Sequence, residues 1–156
     1  MAKALKTILG AVLLISSSNV FADNSWYVET SYLRMSADHF TDLEISAAGV
    51  TVGRDLVAVK PVGVALEASL GGAINSDIFE TGAYRMLGLK FTSSVARGVN
   101  VFTTAAYVDV SGGRSEDDAL LTVGAQMFFS SRLYGKIAYG LASDSNGGQV
   151  SLGVRF

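Results

Sequence analysis

The last eight residues, Gln149-Val150-Ser151-Leu152-Gly153-Val154-Arg155-Phe156, decide the fold class. Large apolar residues occupy every second position, and polar or small residues occupy the positions between them. Successive side chains of an extended strand point to opposite faces, so this segment has one apolar and one polar face. A helix would instead need apolar residues three or four positions apart. The pattern therefore predicts a β-strand that ends on the aromatic Phe156.

The same alternation recurs along the chain as far back as Trp26, and helical spacing is nowhere sustained. The strand near 98–110 is not oriented by alternation, because the face with Phe102 and Val108 also carries Asn100 and Thr104, while the other face carries Val99, Val101 and Tyr107. The eight predicted strands cover about 26–35, 45–54, 62–72, 83–92, 98–110, 121–129, 133–141 and 149–156.

The connections between these strands alternate in length and polarity. Those near 36–43, 74–82, 111–118 and 143–148 are polar and mostly acidic, whereas those near 55–61, 93–97 and 130–132 are short. Long loops at one end and short turns at the other are typical of antiparallel transmembrane barrels. An even number of strands brings both chain ends to the side with the short turns.

The first 22 residues are predicted to be an export signal, and residues 23–156 to be a single β-domain. Lys3 and Lys6 precede the apolar run Ile8–Ile15, and Val20-Phe21-Ala22 supplies a cleavage site before Asp23. A buried N-terminal helix is the competing interpretation, but Ser16 to Ser18 end the run long before the roughly 20 residues that a spanning helix needs.

The charge and the cysteine content argue against two features, nucleic-acid binding and disulfide bonds. Cleavage after residue 22 leaves ten basic and fourteen acidic residues, a formal charge of −4. Without a lysine or arginine cluster to neutralise a row of phosphates, nucleic acid is not an expected partner. The sequence contains no cysteine, so an oxidising destination would add no disulfide.

Alternation alone does not say whether the apolar face points inward or outward. A soluble lipocalin-like barrel or a β-sandwich has the same period with the opposite sense. Here the polar faces carry lone charges at mid-strand among Gly, Ala and Ser, which suits a narrow interior where unlike charges pair. The predicted lumen network is Glu29, Glu67, Lys90, Gln126, Lys136 and Arg155, with Tyr134 beside it.

Aromatic residues bound the apolar faces, as rings do at the headgroup level of a membrane barrel. They are Trp26, Tyr32, Tyr107, Phe129, Tyr139 and Phe156. A chain without long apolar helices can cross a bilayer only as a closed sheet, because every backbone N–H and C=O must be paired there. The predicted fold is thus all-β, an eight-stranded antiparallel up-and-down transmembrane β-barrel.

Three segments carry a family resemblance. Val150–Phe156 resembles the C-terminal signal read by the barrel-assembly machinery, while Trp26-Tyr27-Val28 and the segment 64–69 resemble family strands. The chain is similar to the small outer-membrane barrels of Gram-negative bacteria, namely the OmpX/Ail, Opa-type and OmpA-barrel groups. The resemblance implies an outer-membrane location, contact with outer-membrane lipids and lipopolysaccharide, and insertion by that machinery. The implied assembly signal is Val150, Leu152, Val154 and Phe156.

Family resemblance implies no particular activity, so three functions stay open. The leading hypothesis is a non-enzymatic membrane protein that stabilises the envelope or presents loops to an extracellular partner, although the predicted loops are shorter than those of known adhesins. Carboxylates in the loop 111–118 can attract divalent cations, but a solvated loop tip is the simpler interpretation, and no cofactor or bound metal is expected. The distinctive residues of that loop are Arg114, Glu116, Asp117 and Asp118.

A narrow pore and a lipid A-modifying enzyme are the alternatives. Eight strands enclose an interior just wide enough to be filled by side chains, which disfavours a pore. The only histidine, His39, and the pair Ser76-Asp77 lie in predicted outer loops, where a histidine with a serine and a carboxylate can activate a nucleophile. An acyl-chain pocket would need an apolar interior, so an enzyme is disfavoured as well.

Overall fold

The computed structural model describes residues 26–37, 44–59, 61–75, 82–111, 116–143 and 145–156. Each strand in these ranges pairs antiparallel with the next, and the last pairs with the first, so the sheet closes on itself. The predicted eight-stranded up-and-down barrel is confirmed. The strands are β1 (Trp26–Ala37), β2 (Glu44–Val59), β3 (Val62–Asn75), β4 (Ala83–Ala96), β5 (Val99–Ser111), β6 (Glu116–Phe128), β7 (Leu133–Leu141) and β8 (Ser145–Arg155).

The start of β1, the C-terminal Phe156 and the turns after β2, β4 and β6 lie at one end of the barrel, called here the terminal end. The Phe156 amide donates to the Trp26 carbonyl at 2.9 Å, which joins β8 to β1 there. Between β4 and β5 the turn is Arg97-Gly98, and Gly98 has a φ of 75°, a conformation that favours glycine. The opposite end, called the loop end, holds the connections after β1, β3, β5 and β7.

Several strands extend further than the sequence pattern indicated. β2 continues to Val59 and β8 begins at Ser145, so the predicted connections 55–61 and 143–148 are largely strand. β6 likewise begins at Glu116, inside the predicted loop 111–118. The reason is that backbone pairing does not require an apolar side chain: Asn146 pairs with Ser36 although neither residue continues an apolar face.

Large apolar side chains cover the outside of the barrel, and they are called the apolar belt. Leu70 and Ile137 are each 64% exposed, values that a water-soluble protein rarely combines with so many neighbours of the same kind. Other members of the belt are Leu66, Leu87, Leu89, Phe91, Val101, Leu121, Val123, Val150 and Leu152. A bilayer is the environment that this surface fits. The described residues contain no helix long and apolar enough to cross one.

Inside the barrel, aromatic rings on one strand lie against glycines on the next. Tyr27 pairs with Gly53, and Tyr134 pairs with Gly153. A Cβ atom at either glycine would overlap the tyrosine ring beside it. Glycine at both positions therefore leaves room for the tyrosine rings in a narrow interior.

The structure also orients β5, whose two faces the sequence left undecided. Phe102 and Thr104 point inward and are buried, whereas Val101 and Tyr107 point outward and are exposed. The inward Phe102 lies beside Gly124 of β6, another aromatic ring packed over a glycine.

Candidate functional site

Four ionised side chains meet inside the barrel, and they are called the ion cluster: Glu29 of β1, Glu67 of β3, Lys90 of β4 and Lys136 of β7. Each of these residues is at most 6% exposed. Lys90 Nζ lies 2.7 Å from Glu67 Oε1 and 3.7 Å from Glu29 Oε1. Lys136 Nζ pairs with Glu29 Oε2. The two positive and two negative charges cancel, so the interior holds ions without holding net charge.

Two tyrosines complete the coordination of the carboxylates. Tyr27 Oη donates to Glu67 Oε1 at 2.7 Å, and Tyr134 Oη donates to Glu29 Oε1 at 2.9 Å. The two tyrosine rings meet edge to face, with their centroids 6.4 Å apart. Lys90 Nζ lies 4.0 Å from the centroid of the Tyr27 ring, within the range of a cation–π contact. Each carboxylate thus has both a lysine and a phenol as partners.

A second ion pair lies nearer the terminal end. Arg155 of β8 donates from Nη2 to Asp55 Oδ2 of β2, and both side chains are partly exposed. The Arg155 guanidinium carbon lies 5.8 Å from the ring centroids of both Tyr27 and Phe128. The Tyr27 ring therefore lies near a cation of each group, Lys90 of the ion cluster and Arg155 of this pair, and the pair is also neutral.

The structure places Gln126, the remaining predicted lumen residue, in the same interior. Gln126 is 3% exposed and lies opposite Lys136 in the β6–β7 register. Thr51 of β2 and Ser69 of β3 share a hydrogen bond of 2.7 Å on the opposite wall. All six predicted lumen residues point inward: four of them form the ion cluster, Arg155 pairs with Asp55, and Gln126 lies opposite Lys136 in the register.

Four interior residues that matter here were not predicted from the sequence: Tyr27, Asp55, Phe102 and Thr104. Tyr27 lies two positions before Glu29 on the polar face, so alternation carried the signal that could have found it. Asp55 falls in the predicted connection 55–61. Thr104 Oγ1 donates to Glu67 Oε2 at 3.5 Å, although 37 residues separate them in the chain, and alternation does not encode that proximity.

The predicted surface loop is only partly described. Arg114 lies outside the described residues, and so do His39, Ser76 and Asp77 and the predicted signal peptide. Glu116 and Asp117 belong to β6, where their backbones pair with Val110 and Asp109. In the described part of the chain, no three His, Cys, Asp or Glu residues stand close enough to hold a metal ion.

Asp118, at the loop end beyond the apolar belt, fastens the β7–β8 connection. Asp118 Oδ1 accepts from Ser143 Oγ at 2.7 Å and Oδ2 accepts from the Ser143 amide at 3.0 Å. These hydrogen bonds, together with one from the Ala119 amide, lower the pKa of the Asp118 carboxyl below its usual value. The carboxylate therefore serves as a structural acceptor.

The predicted assembly signal lies along the outer face of β8. Val150 and Leu152 are each 53% exposed, while Val154 and Phe156 are partly covered. Within β8, Val150 and Leu152 lie on the outer face, as alternation predicted, and Phe156 follows the last residue of the strand.

No protein-family model matches the sequence, and the comparison with curated proteins gave no match. Solved structures do match. The N-terminal β-barrel domain of Pseudomonas aeruginosa OprF superposes with a TM-score of 0.62 at 16% identity, covering 83% of this chain and 97% of that one. The chain has the fold of the small outer-membrane β-barrels.

Two further outer-membrane-type barrels agree with that fold. A de novo designed transmembrane β-barrel gives a TM-score of 0.61 at 15% identity, covering 85% of this chain and 96% of the design. The Yersinia pestis outer-membrane protein Ail, solved in a phospholipid bilayer nanodisc, gives 0.57 at 12% identity, covering 86% of this chain and all of that one. At such identities the likeness describes the architecture of the small outer-membrane barrels and not a shared activity.

Proposed function

We propose that this protein is a non-enzymatic, integral outer-membrane barrel that acts as a structural component of the cell envelope and presents its loop end to the outside. One observation carries the proposal: ionised side chains are buried around the axis, and hydrocarbon side chains cover the exterior. A water-soluble barrel would have the opposite arrangement, because burying charge and exposing apolar surface both cost free energy in water.

The ion cluster supports a structural role rather than catalysis. Each carboxylate is held by a lysine and a tyrosine, so Glu29 and Glu67 are committed to partners inside the protein. A general base or nucleophile needs access to a substrate. Glu29 and Glu67 are at most 2% exposed, so no substrate can reach them. Their burial favours a role in linking the strands of the barrel.

The same contacts favour a closed lumen over the alternative of a narrow pore. Tyr27 and Tyr134 are at most 1% exposed, and their rings meet edge to face between the strands. An ion crossing the lumen would have to separate these buried ion pairs. Each charge that loses its partner would then remain buried without compensation, which costs free energy. We therefore expect no steady conductance from the folded protein in a planar bilayer.

Outer-membrane lipids, including lipopolysaccharide, and the barrel-assembly machinery are the partners that this proposal requires. The apolar belt would contact acyl chains, and the exposed face of Val150 and Leu152 at the closing strand suits recognition during insertion.

Fractionation with electrophoresis tests the proposal. The full chain is expressed in a Gram-negative host, and its membranes are run with and without boiling. We expect the protein in the outer-membrane fraction, resistant to urea extraction, with different mobilities for the heated and unheated samples. Recovery from the soluble periplasm with a single mobility would overturn the proposal, whereas stepwise currents from purified folded protein would establish the pore alternative instead.

A further inference from the structure

Two opposite charges, Arg85 of β4 and Asp109 of β5, point outward among apolar residues. They are direct partners in the β4–β5 register. On its other side Arg85 pairs with Leu70 of the apolar belt, and Ile74, closer to the loop end on the same face of β3, is exposed as well. The ion pairs found among the described residues include neither Arg85 nor Asp109. The belt therefore carries two unpaired charges of opposite sign.

Hydrocarbon offers no partner to these charges. A charged side chain on the lipid face of a barrel is destabilising, and ionisable residues within a membrane are paired as a rule and mark functional sites. The ion cluster meets this need inside the barrel, where each charge has a partner of opposite sign. Arg85 and Asp109 lie on the other face of the wall. Their partners therefore have to come from a molecule beside the barrel.

The outer face of β4 and β5 carries both signs of charge, so it complements a copy of itself. In a two-fold symmetric contact, one residue of each protomer meets a second residue of the other, and the reverse contact follows. Two barrels inserted in the same direction are related by an axis along the membrane normal. When that axis runs between β4 and β5, Arg85 of each copy faces Asp109 of the other, and all four charges are paired.

The apolar residues of these two strands are complementary in size. Leu87, Leu89 and Phe91 project from β4, and Leu87 and Phe91 are about half exposed. Their neighbours on β5 are small: Ala105 is the register partner of Leu89, and Thr103 is that of Phe91. The same two-fold axis sets the large side chains of each β4 against the small side chains of the other copy's β5. Small residues let two membrane-embedded surfaces approach closely, and packing then holds them together.

We propose that the outer faces of β4 and β5 form the interface of a parallel homodimer, with reciprocal ion pairs between Arg85 of one copy and Asp109 of the other. The inference rests on the proposed function, because it requires the belt to be in a bilayer. A lipopolysaccharide phosphate would pair with Arg85 but would bring its negative charge close to Asp109. A second copy satisfies both residues at once.

Energy transfer between labelled copies in lipid vesicles tests the proposal. The chain has no cysteine, so Ser131→Cys in the exposed turn before β7 can carry either a donor or an acceptor dye. The folded full chain is studied in dioleoyl phosphatidylcholine vesicles without lipopolysaccharide, over a series of protein-to-lipid ratios. We expect transfer that falls with dilution as a dimer dissociates and that excess unlabelled chain lowers by competition.

Exchanging the charges gives the sharpest readout. Arg85→Asp should weaken association about tenfold or more, because each contact then sets two carboxylates against each other. Asp109→Arg should weaken it in the same way, and the double variant should recover most of the association because opposite charges again face each other. Arg132→Asp, in the exposed turn before β7, makes the same charge change away from the interface and should have no effect. A double variant that associates as weakly as the single ones would overturn the proposal.

A second pair of variants tests the packing. Ala105→Phe places a large side chain where the two copies approach and should abolish the transfer. Ala48→Phe, also outward but on β2 away from the interface, is the matched control and should leave the transfer intact. A wild-type protein that stays monomeric at every ratio, or that associates only after lipopolysaccharide is added, would overturn the dimer.

The folding check keeps this result apart from the proposed function. Every variant is first examined for the mobility difference between heated and unheated samples. A wild-type chain that never folds in lipid contradicts the membrane barrel itself, whereas a barrel that folds but does not associate contradicts only the dimer. If the charge variants do not fold, Ala105→Phe and its control decide the matter.

Discussion

Lys90 Nζ lies 2.7 Å from Glu67 Oε1, and neither side chain is more than 4% exposed. The two residues belong to neighbouring strands, β4 and β3, and the ion pair is one side-chain link between them inside the barrel. A buried charge that loses its partner keeps the cost of its desolvation without the compensating attraction. This pair therefore makes a sharp test of how the interior is held together.

Lys90→Met should destabilise the folded barrel by about 3 to 5 kcal/mol, because Glu67 would lose its closest cation. The double variant Glu67→Gln with Lys90→Met should recover much of this loss, since neither residue is then charged. Urea-induced unfolding in lipid vesicles measures both. Arg132→Gln in the turn before β7 is the control and should stay within about 0.5 kcal/mol of the wild type. A double variant as unstable as the single one would refute the pairing.

Gly153→Ala should cost about 1 to 3 kcal/mol, because the new Cβ would overlap the Tyr134 ring and force it out of position. Gly148→Ala on the same strand provides the control, since nothing lies within 4 Å of a Cβ placed there. The two unfolding curves are compared in the same vesicles. Equal stabilities of the two variants would mean that the tyrosine ring does not need the space that glycine leaves.

Ile137→Arg tests which side of the wall faces lipid. Ile137 is 64% exposed, so in a water-soluble protein an arginine at this position would be nearly neutral. On the lipid face near the middle of a bilayer it should instead cost about 2 to 4 kcal/mol. Folding into vesicles at increasing urea gives the value. Ser131→Arg, in the exposed turn, should be tolerated, and equal tolerance of both would argue that Ile137 does not meet acyl chains.

Ser143→Ala should raise the pKa of Asp118 toward its ordinary value, because it removes the hydroxyl that contributes most to lowering it. A carboxylate whose pKa is lowered by folding stabilises the fold above that pKa and loses this contribution as the pH falls through it. The β7–β8 connection should therefore loosen at a higher pH in the variant. An NMR titration of the Asp118 carboxyl reports the shift. Ser131→Ala at the opposite end should leave that titration unchanged.

The alternating connections predicted the antiparallel order, and lone charges among small residues predicted that Glu67 and Lys136 point inward. Alternation of side chains predicted the eight strands and the two faces of each strand. These properties follow from the two-residue period of a strand, which is local in sequence. Phe102 could not be oriented in the same way, because both faces of its strand are mixed in polarity. Alternation also misses the start of β8, since backbone pairing with β1 continues through Ser145 and Asn146 without any apolar signal.

The partners of the interior residues could not be predicted from the sequence. Tyr27 reaches Glu67, 40 residues further along the chain, because the strands of a closed barrel are tilted and staggered against each other. A one-position change of register would turn every side chain to the other face, but a shift of two or four positions preserves the same alternation. The sequence therefore specified which residues share the interior without specifying which of them touch.

The hydrogen bond between the Phe156 amide and the Trp26 carbonyl has a consequence for synthesis and insertion. The sheet is free of open edges only when its last strand is bonded to its first. A chain arrested before Ser145 would offer two rows of unsatisfied amides and carbonyls to hydrocarbon, where no water can bond them. A chain without its last strand is therefore not stable within the bilayer, so translation must finish before the barrel can close there.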